Sequence, residues 1–160
     1  MGKGYNRQRA VDYAHRWAFS RNPAYYNFDK LGGDCTNFIS QCLFAGTGLM
    51  NYTPTYGWYY NSVSSRSPSW TGVKYLYNFL TKGSSPGPHG VPCGLEQVEL
   101  GDIIQLSFNG KGYTHSLIVV DTGAVPQPED VLVATHTQDS DNRPLSSYKY
   151  MLYRCIHINS

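Results

Sequence analysis

The chain has 160 residues, enough for one domain with a substantial hydrophobic core, and we expect residues 1–160 to form a single unit. Only 15% of the residues are charged and the net charge is +2, which argues against a nucleic-acid partner. The 14 tyrosines are better suited to a sugar or peptide ligand.

No stretch of about 18 apolar residues is present, so we expect no membrane span. Residues 1–4 lack the apolar core of a signal peptide. Four cysteines in a chain of this length do not indicate a disulfide framework, although a bridge between Cys93 and Cys155 stays open. Six residues separate Cys35 from Cys42 and no other set has the spacing of metal ligands, so we expect neither a metal nor a cofactor.

Apolar residues follow helical spacing from residue 6 to about residue 20, which predicts an amphipathic first helix. Asn22 and Pro23 end this helix, and an aromatic loop over residues 24–29 leads into the next segment. We expect this loop to lie beside the cysteine that follows it.

Residues 32–42 read Gly-Gly-Asp-Cys-Thr-Asn-Phe-Ile-Ser-Gln-Cys and place Cys35 between a glycine turn and a helix. Unpaired N–H groups and the positive end of the helix dipole favour a thiolate at such a position, so Cys35 is a candidate nucleophile. The alternative is a small buried cysteine in a core helix, the role that we assign to Cys42.

Residues 46–66 combine tyrosines with Gly, Pro, Asn and Ser, and this composition predicts a long surface loop with aromatic anchors. Trp58 in this loop either lines a substrate groove or fills the core together with Trp70. A short helix over residues 71–80 follows, and a Pro- and Gly-rich loop then runs to about residue 100.

The pattern then changes to strands, which we predict over residues 102–108, 114–121, 131–137 and 148–158. The connections are short enough for an antiparallel meander. The order of helices followed by about four or five strands indicates an α+β fold with the helices packed on one face of a sheet.

A histidine on a neighbouring strand would take the thiol proton and later return it to a leaving amine. His115 is the best candidate for this base because it opens an apolar strand. If Val120 faces Val131 across an antiparallel pair, His136 faces His115 and orients its ring through a hydrogen bond. We therefore predict His136 as the third group. The alternatives after a slip in register are Thr137 and Asp139.

Attack on a carbonyl creates an oxyanion that needs hydrogen-bond donors, and the backbone N–H of Cys35 is one candidate. The hydroxyl of Tyr25 or Tyr26 is a candidate second donor, and Trp58 is a candidate substrate contact. Asp34 lies at the same substrate-binding edge. It is better suited to capping the helix or holding the loop than to acting as a base, because an adjacent carboxylate raises the pKa of a thiol.

Several segments closely resemble the family described as "Putative amidase domain", and the Asp-Cys-Thr-Asn-Phe block is the most specific of them. The family looks related to the NlpC-type and CHAP cell-wall hydrolases of the papain-like clan. The resemblance implies a papain-like α+β fold with a barrel-like antiparallel sheet of about four to six strands. It also implies Cys35 as the nucleophile of a thioester mechanism and His115 as its base. The resembling segments are residues 22–25, 32–41, 101–104, 114–116 and 135–137.

The resemblance also bears on the third group and on the biology. In NlpC-type relatives a polar residue, often histidine, follows on the next strand, which agrees with His136, although the spacing from His115 is longer here. The implied function is cleavage of amide bonds in bacterial peptidoglycan or a related peptide by a secreted or surface-exposed monomer. The alternatives are an acyltransferase of the transglutaminase type and a non-catalytic wall-binding module that stacks aromatic residues on sugars.

Overall fold

The computed structural model describes residues 4–159, so the signal-peptide prediction falls almost entirely outside the described residues. Helix α1 (Arg7–Trp17) begins after Asn6, whose side chain accepts a hydrogen bond from the Arg9 N–H at 3.0 Å. Helix α2 (Cys35–Thr47) ends at Gly48, which adopts the left-handed conformation. Helices α3 (Pro68–Thr71) and α4 (Val73–Lys82) follow. Within residues 4–159 the helices are too short or too polar to cross a membrane.

Eight strands are present in the described part of the chain, and two of them, β1 and β2, form a separate small hairpin. The other six form one antiparallel sheet in the order β3, β8, β4, β5, β6, β7. The predicted α+β class is therefore confirmed. The strands are β1 (Tyr60–Ser62), β2 (Ser65–Arg66), β3 (Gly90–Cys93), β4 (Ile103–Ser107), β5 (His115–Asp121), β6 (Leu132–Thr135), β7 (Ser140–Pro144) and β8 (Leu152–Ile158).

The sheet is open, so the prediction of a barrel-like sheet is wrong. β3 and β7 are its two edges, and both were missed in the sequence. Each has the composition of an edge strand: β3 contains Pro92, which lacks a backbone donor, and β7 is the polar run Ser-Asp-Asn-Arg-Pro. Strand prediction from alternating apolar residues identifies central strands and misses polar edge strands of this kind.

The two faces of the sheet bury different groups. Ile118 and Val120 of β5 belong to the core formed with α1 and α2, whereas Leu117 and Val119 belong to a second core on the opposite face. The second core is closed by Leu95 and Leu145, which begin two short 3₁₀ helices (Leu95–Gln97 and Leu145–Ser147). β5 is therefore buried on both sides, which explains its nearly continuous apolar sequence.

The pairing of β5 with β6 differs from the predicted one. Asp121 pairs with Leu132 beside the connecting loop, and a bulge then shifts the register so that Val119 pairs with Val133. The predicted pairing of Val120 with Val131 is therefore wrong. Continuing the observed register past the end of β6 places Thr137, not His136, opposite His115.

Trp58 lies in the core and not in a groove. Its side chain is 0% exposed, its indole N–H donates to the Ser40 hydroxyl at 3.1 Å, and its ring centroid is 4.7 Å from that of Trp70. The prediction that Trp58 contacts substrate is therefore corrected: the ring fills the space beneath the 46–66 loop.

Cys93 and Cys155 are directly opposite each other on β3 and β8, and both are free thiols. Burial raises the pKa of Cys93 to about 11 and that of Cys155 to about 12. The bridge that the sequence left open is therefore not formed in this structure.

Candidate active site

Cys35 is the first residue of α2, as predicted. Gly32 and Gly33 precede it with φ values of 84° and 94°, which explains why the turn requires glycine. The first helical hydrogen bond runs from the Phe38 N–H to the Asp34 carbonyl at 3.0 Å. Helix geometry therefore leaves the N–H groups of Cys35 and Thr36 without intrahelical acceptors.

The Cys35 thiol is 8% exposed and lies against the start of β5. Burial raises the pKa of the thiol, and the negative charge of Asp34 adds to this rise. Hydrogen bonds from the backbone of Ser116 and from the Thr36 side chain and backbone oppose it. In this structure the pKa of the Cys35 thiol therefore shifts opposite to the direction predicted from the helix terminus, because the thiol is desolvated.

His115 opens β5 and is 7% exposed. Burial lowers the pKa of its imidazole to about 4, with a further contribution from the positive charge of Arg143. The ring is therefore neutral at pH 7 and able to accept a proton. No hydrogen bond joins this ring to Cys35 or to any other group within residues 4–159.

A cavity of about 620 Å³ opens beside His115. The cavity lies at the start of β5 and the end of β6, and Thr137 forms part of its wall. The loop before Cys35 passes close to this wall, because a Cβ atom on Gly33 would meet the Thr137 hydroxyl at 3.6 Å. The ring centroid of Tyr148 lies 6.1 Å from that of His115. The lining includes Phe108, His115, Thr137, Arg143, Tyr148 and Lys149.

His136 is not placed to orient His115. Its Nδ1 donates to the Asp34 carboxylate at 2.5 Å and its Nε2 donates to the Trp17 carbonyl at 2.8 Å. Both ring nitrogens are thus committed to fixed partners, and Nε2 carries a proton because a carbonyl oxygen only accepts. The ring is 1% exposed and stacks on Phe38 at a centroid distance of 4.0 Å. The predicted His115–His136 hydrogen bond is therefore replaced by a buried ion pair.

Asp34 holds the loop before α2 in place, which is one of the two roles that its position in the sequence predicted. Its carboxylate accepts from the Phe28 N–H at 2.8 Å and from the Asn37 side chain at 2.9 Å, in addition to His136. Burial alone would raise the pKa of Asp34, but the hydrogen bonds and the charge of His136 keep it below its ordinary value. Asp34 is 0% exposed, so its predicted place in substrate binding is corrected.

The two alternatives for the third group differ. Asp139 accepts hydrogen bonds from both Nη atoms of Arg21, at 2.9 and 3.0 Å, and is thereby committed to another element. Thr137 lines the cavity, and both it and Gln138 adopt positive φ values, 67° and 56°. A β-branched residue with this backbone is strained, and such strain is often found at functional sites.

The two tyrosines proposed as oxyanion donors have different surroundings. Tyr25 stacks on Trp70 at a centroid distance of 5.9 Å and is half-buried at the edge of the core. Tyr26 is 45% exposed, and its carbonyl accepts from the Asn37 side chain at 3.0 Å. Neither tyrosine lines the cavity beside His115, so their role as donors stays a prediction.

The sequence pattern of the family described as "Putative amidase domain" matches residues 4–158. The chain belongs to this family. Among curated proteins, this amidase-family chain is 40% identical over 145 residues to the uncharacterized protein YhbB of Bacillus subtilis (strain 168), covering 87% of the chain and 43% of YhbB. It is 29% identical over 110 residues to the uncharacterized protein YjcM of the same organism, covering 68% of the chain and 24% of YjcM.

The family indicates hydrolysis of amide bonds. The chain spans less than half the length of these two relatives. The search of solved structures returned no match.

A polar chain behind Cys35 in this amidase-family domain was missed in the sequence. The Thr36 hydroxyl lies 3.0 Å from the Ser116 hydroxyl, which accepts from the Gln105 amide at 3.2 Å. The Gln105 carbonyl oxygen accepts from Arg154 at 2.7 and 2.9 Å. Polar residues inside the apolar strands β4 and β5 were the available signal, because buried polar side chains need partners.

Proposed function

We propose that this chain is a cysteine-dependent amidase in which Cys35 attacks the substrate carbonyl and His115 is the general base. The observation that carries the proposal is the position of Cys35: in a member of an amidase family, the thiol lies at a helix start against the backbone of Ser116, the residue that follows His115 in the chain. Nucleophilic catalysis by cysteine requires a base within reach of the thiol.

The proposed reaction starts from a neutral pair. As the sulfur attacks, its proton moves to a ring nitrogen of His115, and the carbonyl carbon becomes tetrahedral. The free N–H groups at the start of α2 stabilise the oxyanion. The imidazolium then gives its proton to the leaving amine, a thioester forms on Cys35, and water releases the acid. The thiol–imidazole hydrogen bond forms when substrate fills the cavity, as in other enzymes whose catalytic contacts tighten on binding.

The substrate and setting are also proposals and rest on the resemblance to NlpC-type and CHAP hydrolases of the papain-like clan. The proposed substrate is a peptidoglycan stem peptide or a related peptide. The proposed location is secreted or at the cell surface, and we propose that the chain acts as a monomer in which residues 1–160 form a single domain. Trp58 and Trp70 are fully buried and present no face to a sugar, so the wall-binding alternative rests on exposed tyrosines such as Tyr52 and Tyr56.

The test is digestion of purified bacterial peptidoglycan, with mass spectrometry of the soluble fragments. We expect new amine and carboxyl ends with the wild type and none with Cys35→Ala. Cys93→Ala is the matched control, because Cys93 lies on the edge strand β3 and should be dispensable. Full activity in Cys35→Ala would remove the mechanism. Fragments that carry an added amine in place of water would reassign the chain to acyl transfer.

A further inference from the structure

The cavity beside His115 is positively charged. Arg143 and Lys149 both line it, and none of its lining residues is Asp or Glu. His115 itself is neutral at pH 7 because its pKa is about 4. A concave cavity with two cations and no carboxylate attracts anions.

Nearby acids do not neutralise this charge, because each is bound elsewhere. Asp139 pairs with Arg21 at 2.9 Å, and Asp141 lies 2.8 Å from His15 on α1. The acidic residues around β7 therefore contact the helical side of the molecule. Within residues 4–159, no ion pair is formed by Arg143 or Lys149.

Arg143 is held by neutral partners. Its Nε donates to the Ser147 hydroxyl at 2.7 Å, one Nη donates to the Ser147 carbonyl at 3.2 Å, and the guanidinium lies 3.7 Å from the centre of the Tyr148 ring. These contacts fix the orientation of the group and leave its charge uncompensated. A guanidinium presented in this way is suited to bind a carboxylate.

We propose that the cavity binds a carboxylate of the amide substrate against Arg143, so that the enzyme selects amides with an anionic group close to the bond that is cleaved. This inference deepens the proposed function and rests on it for the identity of the reaction. The carboxylate could belong to a chain terminus or to an acidic side chain. Lys149, which is exposed at the cavity rim, would contribute less than Arg143.

The first experiment needs no hydrolysis. Iodoacetate and iodoacetamide alkylate a thiol in the same way but differ in charge, so their rate ratio at Cys35 reports the local potential. We expect the iodoacetate to iodoacetamide ratio, measured at about pH 8 by mass spectrometry of each cysteine peptide, to be higher at Cys35 than at Cys93. In Arg143→Gln the ratio at Cys35 should fall roughly tenfold, because the neighbouring charge is lost.

Two matched variants define the result. Arg143→Lys keeps the charge and should retain most of the ratio, whereas Arg9→Gln removes an exposed arginine on α1 and should leave it unchanged. An equal ratio in the wild type and Arg143→Gln would overturn the inference. A Cys35 that resists both reagents would overturn it as well, because the cavity would then not lead to the thiol.

The second experiment uses three series of acetylated peptides. The first carries a carboxylate at the C-terminus, the second carries one on a side chain, and the third is neutral because every carboxylate is replaced by a carboxamide. We expect one anionic series to have the higher kcat/KM and Arg143→Gln to remove that preference mainly through KM. Equal cleavage of neutral peptides would contradict the inference and leave the amidase proposal intact. An Arg143-dependent alkylation ratio without any hydrolysis would contradict the amidase proposal and leave the anion site intact.

Discussion

Two histidines follow each other along the chain and meet opposite surroundings. His136 faces a carboxylate and a backbone carbonyl, forms a hydrogen bond through each ring nitrogen and is closed to solvent. His115 faces an open cavity and a nearby arginine, makes no hydrogen bond through its ring to residues 4–159, and stays neutral because its pKa is about 4. The same side chain is thus an ion-pair partner in one place and a proton acceptor in the other.

The comparison teaches that the ring with unused hydrogen-bonding capacity is the better catalytic candidate. His136 has no ring nitrogen left for a substrate or for Cys35, since both nitrogens bond to fixed partners. It stabilises the loop that carries Asp34 and thereby places the neighbouring Cys35. The predictions that follow would break this division of roles or make it sharper.

The largest expected effect is on catalysis at His115. His115→Gln removes the proton acceptor and should lower kcat/KM by about 10²- to 10⁴-fold, the usual contribution of a general base. The fold should persist, because the His115 ring bonds to no other group in residues 4–159. Hydrolysis rates and urea unfolding of the same samples check both statements. A variant that keeps wild-type activity would assign the base elsewhere.

The next effect is on stability at His136. His136→Ala removes the 2.5 Å partner of the buried Asp34 carboxylate and leaves Arg21, whose Nε lies 3.5 Å away, so we expect the free energy of unfolding to fall by about 2–3 kcal/mol. Urea titration measures this change, and His15→Ala is the control because that ion pair is partly exposed. If His136→Ala kept its stability and lost only turnover, His136 would return to the catalytic group.

The pH dependence of the free energy of unfolding gives a further test of the surroundings of His115. The pKa of His115 falls from 6.5 to about 4 on folding, so between these values the unfolded chain binds more protons and stability decreases as pH falls. Relative to His115→Gln, the wild type should lose about 3 kcal/mol between pH 7 and pH 4. Urea titrations of both proteins at the two pH values give the difference. Parallel curves would mean that the ring is not desolvated.

The smallest effect concerns Thr137. Its hydroxyl makes no hydrogen bond to His115, so Thr137→Ala should lower turnover by less than about tenfold, in contrast to the orienting groups of tighter triads. Steady-state kinetics of Thr137→Ala are compared with those of Gln138→Ala, a control that alters the same turn. A loss approaching that of His115→Gln would make Thr137 the third group.

Much of the architecture could be predicted because local patterns dictate it. The apolar spacing of α1, the glycine turn before Cys35 and the β-branched runs of β4 and β5 each indicate their own structure. The position of Cys35 at the helix start follows from the same local rules.

The rest depends on distant contacts or on single-residue shifts. The pairing of β5 with β6 begins at Asp121 and Leu132, two residues out of the predicted register, and the bulge before Val119 recovers one of them. Thr137 therefore faces His115, and nothing in the loop composition marks either shift. The partners of His136 are 102 and 119 residues away in sequence, so no periodicity reveals them. Desolvation of the Cys35 thiol also depends on packing that a helix-terminus argument does not include.

The attachment of α1 limits how this domain can be divided. The Trp17 carbonyl at the end of α1 accepts from His136, and Arg21 in the following segment bonds to Asp29 and Asp139. A hydrogen-bond donor at a helix C-terminus satisfies one of the last free carbonyls, so α1 and the His136 ring stabilise each other. A fragment that starts after Arg21, or a graft of the cysteine loop and strands into another scaffold, would lack these partners. The smallest transferable unit of the site therefore includes α1.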